Sequence, residues 1–129
     1  MFFTRLSKDN GPVGKPNIEV RSKIWVEVLR RPVLGPGRYE LLRTLDEQGS
    51  ISGAARRLKI TYRKAWGQIK FMEEQLGLSL VVKLTGGTGG GGARLTAEAR
   101  DLLTKYDLLI FGIQEQINER FRKIFYEDR

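Results

Sequence analysis

The stretch from Gly49 to Gly77 constrains the fold most, because it holds two short helical patterns with only about three residues between them. Ala54, Ala55 and Leu58 mark the inner face of the first, and its adjacent alanines let another helix approach closely. In the second, Ala65, Ile69, Met72 and Leu76 recur at four, three and four, making one apolar stripe that Gly77 ends. Ser52 and Thr61 are the expected N-caps, since a hydroxyl there accepts from a free amide of the first turn. At about 100° per residue from Ile69, Arg63, Lys64, Gly67, Lys70 and Phe71 fall on the opposite side. That outer face is basic and has a gap. Gly67 costs a helix interior about 1 kcal/mol relative to alanine, a penalty that makes sense when the missing side chain lets something reach the backbone.

The flanking segments read as follows. Residues 1–17, with Gly11, Pro12, Gly14 and Pro16, sustain no periodicity and are expected to form a flexible arm. Ile18 to Leu29 alternates in part and predicts a strand that Pro32 limits. Tyr39, Leu41, Leu42 and Leu45 predict a helix over about Gly37 to Gln48, stopped by Gly49. Leu78 to Leu84 predicts a strand with Leu80, Val82 and Leu84 on one side, and beyond the glycine run at 86–92 the short segment Ala93-Arg94-Leu95 returns, a hairpin with a flexible tip. Thr96 is placed to cap a long helix running to about Phe125, roughly 45 Å at 1.5 Å per residue. Its stripe of Leu102, Tyr106, Leu109, Ile113, Ile117, Phe121 and Ile124 or Phe125 is too long for one small domain to cover. Part of it is therefore expected to meet a second copy, with Gly112 marking the change.

Composition narrows the chemistry. The 129 residues include no Cys and no His, which removes disulfides, Cys/His zinc sites, thiol nucleophiles and every imidazole base. No catalytic residue, metal or cofactor is expected. No apolar stretch approaches the roughly 18 residues of a membrane span and the start is not that of a signal peptide, so a cytoplasmic location without membrane contact is the expectation. The net charge of +8 is uneven: residues 1–49, 50–95 and 96–129 carry +3, +6 and −1. In the middle segment Arg56, Arg57, Lys59, Arg63, Lys64, Lys70, Lys83 and Arg94 face only Glu73 and Glu74, a balance suited to polyanionic phosphate.

Helix, helix, short turn, helix, two-stranded wing and long helix is the order of a winged helix-turn-helix: mainly α with a small β wing, here ending in a long dimerisation helix. The run Gly49-Ser-Ile-Ser-Gly-Ala-Ala-Arg-Arg-Leu58, then Ile60-Thr-Tyr-Arg-Lys-Ala-Trp-Gly-Gln-Ile69, then Thr85-Gly-Gly-Thr-Gly-Gly-Gly-Gly-Ala-Arg-Leu-Thr96, resembles the N-terminal domain of ModE-type molybdate-responsive regulators. LysR-type regulators share the first part more distantly. The likeness covers about residues 35 to 125, and Tyr62, Ala65 and Trp66 together with the glycine-rich wing are its most specific element. It implies a prokaryotic transcription regulator that binds double-stranded DNA as a homodimer, with residues 18–95 as the DNA-binding domain and 96–129 as the dimerisation helix. ModE-type regulators continue into a molybdate-binding module, whereas this chain ends at Arg129. The expectation is a free-standing DNA-binding domain that takes any signal from a separate effector-sensing protein.

In such a motif the N-terminal turn of the second helix reaches base edges, which selects Thr61, Tyr62, Arg63 and Lys64, then Gly67 and Gln68. Arg63 can pair bidentately with guanine and Gln68 with adenine. Tyr62 divides between a DNA contact and the core, and Trp66, about 60° from the stripe centre, is expected to be mainly buried. Ser52, Arg56, Lys70, Lys83, Thr85, Thr88 and Arg94 are expected on the DNA backbone or in the wing, whose glycines allow close approach to phosphate or a minor groove. Leu109, Ile113, Ile117, Phe121 and Ile124 are the dimerisation set. Two other classes compete. A dimeric adaptor or architectural protein would use the basic face only nonspecifically. A nucleotide-binding enzyme is raised by Gly87-Thr-Gly89-Gly-Gly-Gly92, which matches G-x-G-x-x-G, but that pattern needs a strand-to-helix junction inside a βαβ unit.

Overall fold

The computed structural model describes residues 17–85 and 91–126, and the arm expected at 1–17, but for Asn17, and most of the wing tip lie outside them. The chain divides into two compact units, one spanning Trp25–Tyr106 and the other combining the residues up to Ile24 with those from Asp107 onward.

The larger unit begins with strands β1 (Val26–Val28) and β2 (Arg31–Leu34), which pair antiparallel. The strand predicted over Ile18–Leu29 survives only in its last turn of alternation. It ends because Leu29 and Arg30 take positive φ values of 50° and 69° and reverse the chain in two residues. Neither is Gly or Asn, so no turn signal marks the hairpin in the sequence. Pro32 sits opposite Glu27 in a two-stranded sheet, where its missing N–H leaves no central ladder broken.

Helix α1 (Pro36–Gln48) starts on a proline, whose fixed φ suits the first helical position, and stops at Gly49, which takes φ +73° and donates its N–H to Leu45 O at 2.8 Å. Leu41, Leu42 and Leu45 are buried on one side of it. Helix α2 (Ile51–Leu58) is capped by Ser50, whose side chain accepts from Gly53 N at 2.9 Å. Ser52 is therefore not the cap, as expected from the sequence, but an exposed residue inside the helix. Ala54 and Ala55 are buried as their adjacency predicts.

Three residues, Lys59 to Thr61, separate α2 from α3 (Tyr62–Leu76). Thr61 caps α3 by accepting from Lys64 N at 3.0 Å, and Gly77 ends it at φ +67°. Ala65, Ile69 and Met72 are fully buried, and with Val33, Leu34, Leu42 and Leu45 they form the core of the unit.

Strands β3 (Val81–Leu84) and β4 (Gly92–Leu95) form the second hairpin, with Lys83 opposite Ala93 and Val82 opposite Arg94. Of the predicted inner face only Leu80 is buried; Val82 and Leu84 are about two-fifths exposed, because the register sets them opposite Arg94 and Gly92, on the other face of the ribbon from the buried Ala93 and Leu95. The ribbon is tied down near its loop end. Ala93 N donates to Gly49 O at 2.8 Å, and a Cβ on Gly92 would stand 3.1 Å from that oxygen. Thr96 accepts from Ala99 N at 3.1 Å as the predicted cap of α4 (Ala97–Ile110), while its hydroxyl donates to Ser79 O at 2.7 Å. Within α4, Ala99, Leu103 and Tyr106 are buried, Leu103 taking the place expected of Leu102.

The C-terminal helical stretch is present but interrupted. Phe111 and Gly112 form a turn, Gly112 adopting φ +77°, and α5 (Ile113–Phe125) follows. In the smaller unit α5 buries two amides rather than its apolar residues. Gln114 Oε1 accepts from Ser22 N at 2.9 Å, and its Nε2 donates to Val20 O at 3.0 Å and to Asn118 Oδ1 at 2.8 Å. Residues 18–22, predicted as strand, are held instead by these side chains and by Tyr126, whose hydroxyl accepts from Ile18 N. Ile113, Ile117 and Phe121 are half-buried, and Leu109 and Ile124 are exposed.

Candidate nucleic-acid interface

The basic outer face of α3 is where the sequence predicts it. Tyr62, Arg63, Lys64, Gly67 and Lys70 are exposed, as is Thr61 at the cap; Gln68 is half-buried. Since the helix is pinned by Ala65, Ile69 and Met72 on its opposite side and by Thr61 at its start, these side chains stand on a rigid support. Among the described residues a Cβ built on Gly67 meets nothing within 4 Å, so none of them demands a glycine there. Phe71, placed on the outer face by helical angle, is half-buried under the Arg38 guanidinium, 5.0 Å from its ring centroid. Arg38 also donates to Pro32 O at 3.0 Å, which keeps both groups in structural use.

The wing joins this face through aromatic rings. Lys83 of β3 holds its Nζ 4.1 Å from the Trp66 centroid and 6.0 Å from that of Tyr62. Lys70 places its own 4.3 Å from Trp66. Trp66 is only half-buried, not mainly buried as the helical angle suggested, and serves as a cation platform. Arg56 on α2 and Thr85 and Arg94 on the wing are exposed; Thr88 lies outside the described residues.

Glu73 is the residue sequence reasoning passed over. Its Oε2 accepts from Leu80 N at 2.8 Å and from Val81 N at 3.3 Å, while Oε1 lies 3.2 Å from Lys70 Nζ. The carboxylate thus anchors the root of β3 to α3. The available signal was one of only two acids in a segment of eight bases.

The glycine run that matches G-x-G-x-x-G joins two strands paired antiparallel, not a strand to a helix, so the dinucleotide geometry is absent. Among the described residues no group of three or more acidic side chains is placed to hold a metal ion, and no helix is long and apolar enough to cross a membrane.

Comparison with known proteins agrees with this architecture. Residues 37–100 match the family model described as bacterial regulatory helix-turn-helix protein, lysR family. The transcriptional regulator ModE of Haemophilus influenzae is 40% identical over 76 residues, covering 59% of this chain and 30% of that protein. The DNA-binding transcriptional dual regulator ModE of Escherichia coli strain K12 is 43% identical over 74 residues, covering 57% and 28%. The molybdenum-pterin-binding protein MopB of Rhodobacter capsulatus is 33% identical over 85 residues, covering 66% and 32%. The matched segment thus spans about a third of the length of each relative. Among solved structures, the BenM DBD in complex with catB site 1 DNA superposes with a TM-score of 0.52 at 20% identity, covering 71% of this chain and 97% of that one, which establishes the fold. Taken with the cap, stripe and wing geometry above, residues 37–100 are similar to the lysR family of bacterial regulatory helix-turn-helix proteins and to part of the ModE-type regulators.

Proposed function

We propose that the protein is a transcription regulator that binds a specific double-stranded DNA site as a homodimer, with α3 in the major groove and the wing on the backbone or minor groove. Gly67 carries this reading. It is an exposed glycine in the middle of a packed helix, with no described residue where its side chain would be and Arg63, Lys64 and Lys70 around it. A helix bears that cost of about 1 kcal/mol without internal return, and a partner whose surface comes close to the backbone supplies the return.

Arg63 and Lys64 on the first turn are the base readers, with Thr61, Tyr62, Gly67 and Gln68 beside them; Arg63 offers the planar fork that fits guanine. Arg56, Lys70, Lys83 and Arg94, with Ser52 and the wing threonines Thr85 and Thr88, act on the backbone and carry the salt dependence. Leu109 and Ile124, exposed, and Ile113, Ile117 and Phe121, half-buried, supply the contact with a second copy, which makes the preferred site twofold symmetric.

Selection from random duplex DNA, followed by titration of the best site and a scrambled duplex across a salt series, tests the reading. The expected result is a twofold-symmetric site preferred by about 10³ or more. Equal and steeply salt-dependent binding to both duplexes leaves the nonspecific adaptor or architectural dimer instead.

A further inference from the structure

The indole of Trp66 is the meeting point of two cations that come from different elements. Lys70 lies one turn further along α3, and Lys83 comes from β3; their ammonium nitrogens stand 4.3 Å and 4.1 Å from the same ring centroid. The two charges are therefore within about 8.4 Å of each other, the sum of those separations. The ring's negative faces attract each of them, and Glu73 pairs with Lys70 at 3.2 Å. Among the described residues no carboxylate pairs with Lys83, whose charge rests on the aromatic rings of Trp66 and Tyr62 alone.

We propose that Trp66 is a positioning residue for phosphate: its ring presets Lys70 and Lys83 as a cation pair that receives the DNA backbone where the reading helix and the wing meet. The inference rests on the DNA-binding reading above. A free lysine loses much of its rotamer freedom when it engages a phosphate, whereas a lysine already seated on a ring has lost part of it beforehand. An arriving phosphate also relieves the mutual repulsion of the pair. Because one lysine belongs to α3 and the other to β3, the same ring fixes the wing's charge in register with the helix that reads bases.

A double-mutant cycle on the full chain tests this. With the selected duplex, Lys83→Ala is expected to weaken binding about fivefold or more in the wild-type background. In a Trp66→Leu background the same change should cost less than about twofold, because the charge has already lost its seat. Trp66→Phe, a ring that holds cations less well, should give an intermediate cost and serves as the cycle partner if the leucine variant does not unfold cooperatively. Trp25→Phe leaves Trp66 as the sole tryptophan, and its emission should change when DNA binds. An indole that only covers apolar surface would shift thermal stability but leave the cost of Lys83→Ala the same in every background. That result, or an emission blind to DNA while binding persists, overturns the role given to Trp66. Absence of any duplex binding by the wild type is a different failure, since it removes the DNA-binding reading itself.

Discussion

Replacing Gly67 with alanine sets fold and function against each other, and both magnitudes follow from the geometry. Among the described residues the added Cβ meets nothing within 4 Å, and Gly67 is not among the glycines with positive φ, so neither a clash with them nor backbone strain opposes it. The helix then gains the full propensity difference of about 1 kcal/mol. For a domain of this size that raises Tm by roughly 4–8 °C. On the DNA side the same methyl group lies on the surface that a groove wall approaches, and forcing a methyl into a close-packed contact costs about 1–3 kcal/mol. Affinity for the selected site should fall by a factor of about 5 to 160, while the protein becomes harder to melt. Thermal unfolding and duplex titration of the same preparation read both effects. A variant that binds as tightly as the wild type would show that no partner reaches Gly67, and a variant that melts at or below the wild-type temperature would show that the glycine has an internal purpose.

Other perturbations give equally defined outcomes. Ser50→Ala should cost about 1 kcal/mol by urea unfolding, the worth of an N-cap, whereas Ser52→Ala should stay within about 0.5 kcal/mol; equal effects would refute the cap assignment. Arg63→Ala should lose about 1–3 kcal/mol of discrimination at one base pair, while Arg94→Ala weakens selected and scrambled duplexes alike and lowers the salt slope by about 0.9. Leu109→Glu combined with Ile124→Glu should yield monomers by sedimentation without loss of helical signal, since both side chains are exposed in the single chain. Burial raises the Tyr106 phenol above its ordinary value of 10.0. The unfolded chain then releases that proton at lower pH than the folded one, so stability is lost as pH climbs past 10. The fall in urea midpoint between pH 9 and 11 should be smaller in Tyr106→Phe.

Where local chemistry decides the structure, the sequence could be read directly. Thr61 and Thr96 cap as expected, Gly49 and Gly77 end their helices, and the stripe of Ala65, Ile69 and Met72 is buried. The misreadings have a common origin in competition that spacing does not show. Ser50 and Ser52 are equally good caps in isolation, and Ser50 takes the role because Gly53 N is in reach while a side chain at Gly53 would bring its Cβ to 2.7 Å from the Ser50 hydroxyl. The β1–β2 hairpin turns on Leu29 and Arg30, residues that rarely accept positive φ, so nothing in their identity announces it. On α5 a periodic apolar stripe is present, yet Gln114 and Asn118 are the buried residues because distant backbone groups at Val20 and Ser22 complete their hydrogen bonds. The platform role of Trp66 was hidden for the same reason: a lysine 17 positions away decides what its ring faces.

The anchoring of the wing separates two quantities that a DNA-reading module must otherwise settle together. Strand β3 is fastened by the Glu73 carboxylate and strand β4 by the Gly49 carbonyl, each to a helix of the helix-turn-helix frame. One tie lies at the root and the other just before the loop, both outside Thr85–Gly91, so residues added or removed there are expected to leave the seating of α3 unchanged. Insertions and deletions in the loop are therefore expected to leave the helical core folded, whereas the same changes in α2 or α3 would shift Ala54, Ala55, Ala65, Ile69 or Met72 out of the core.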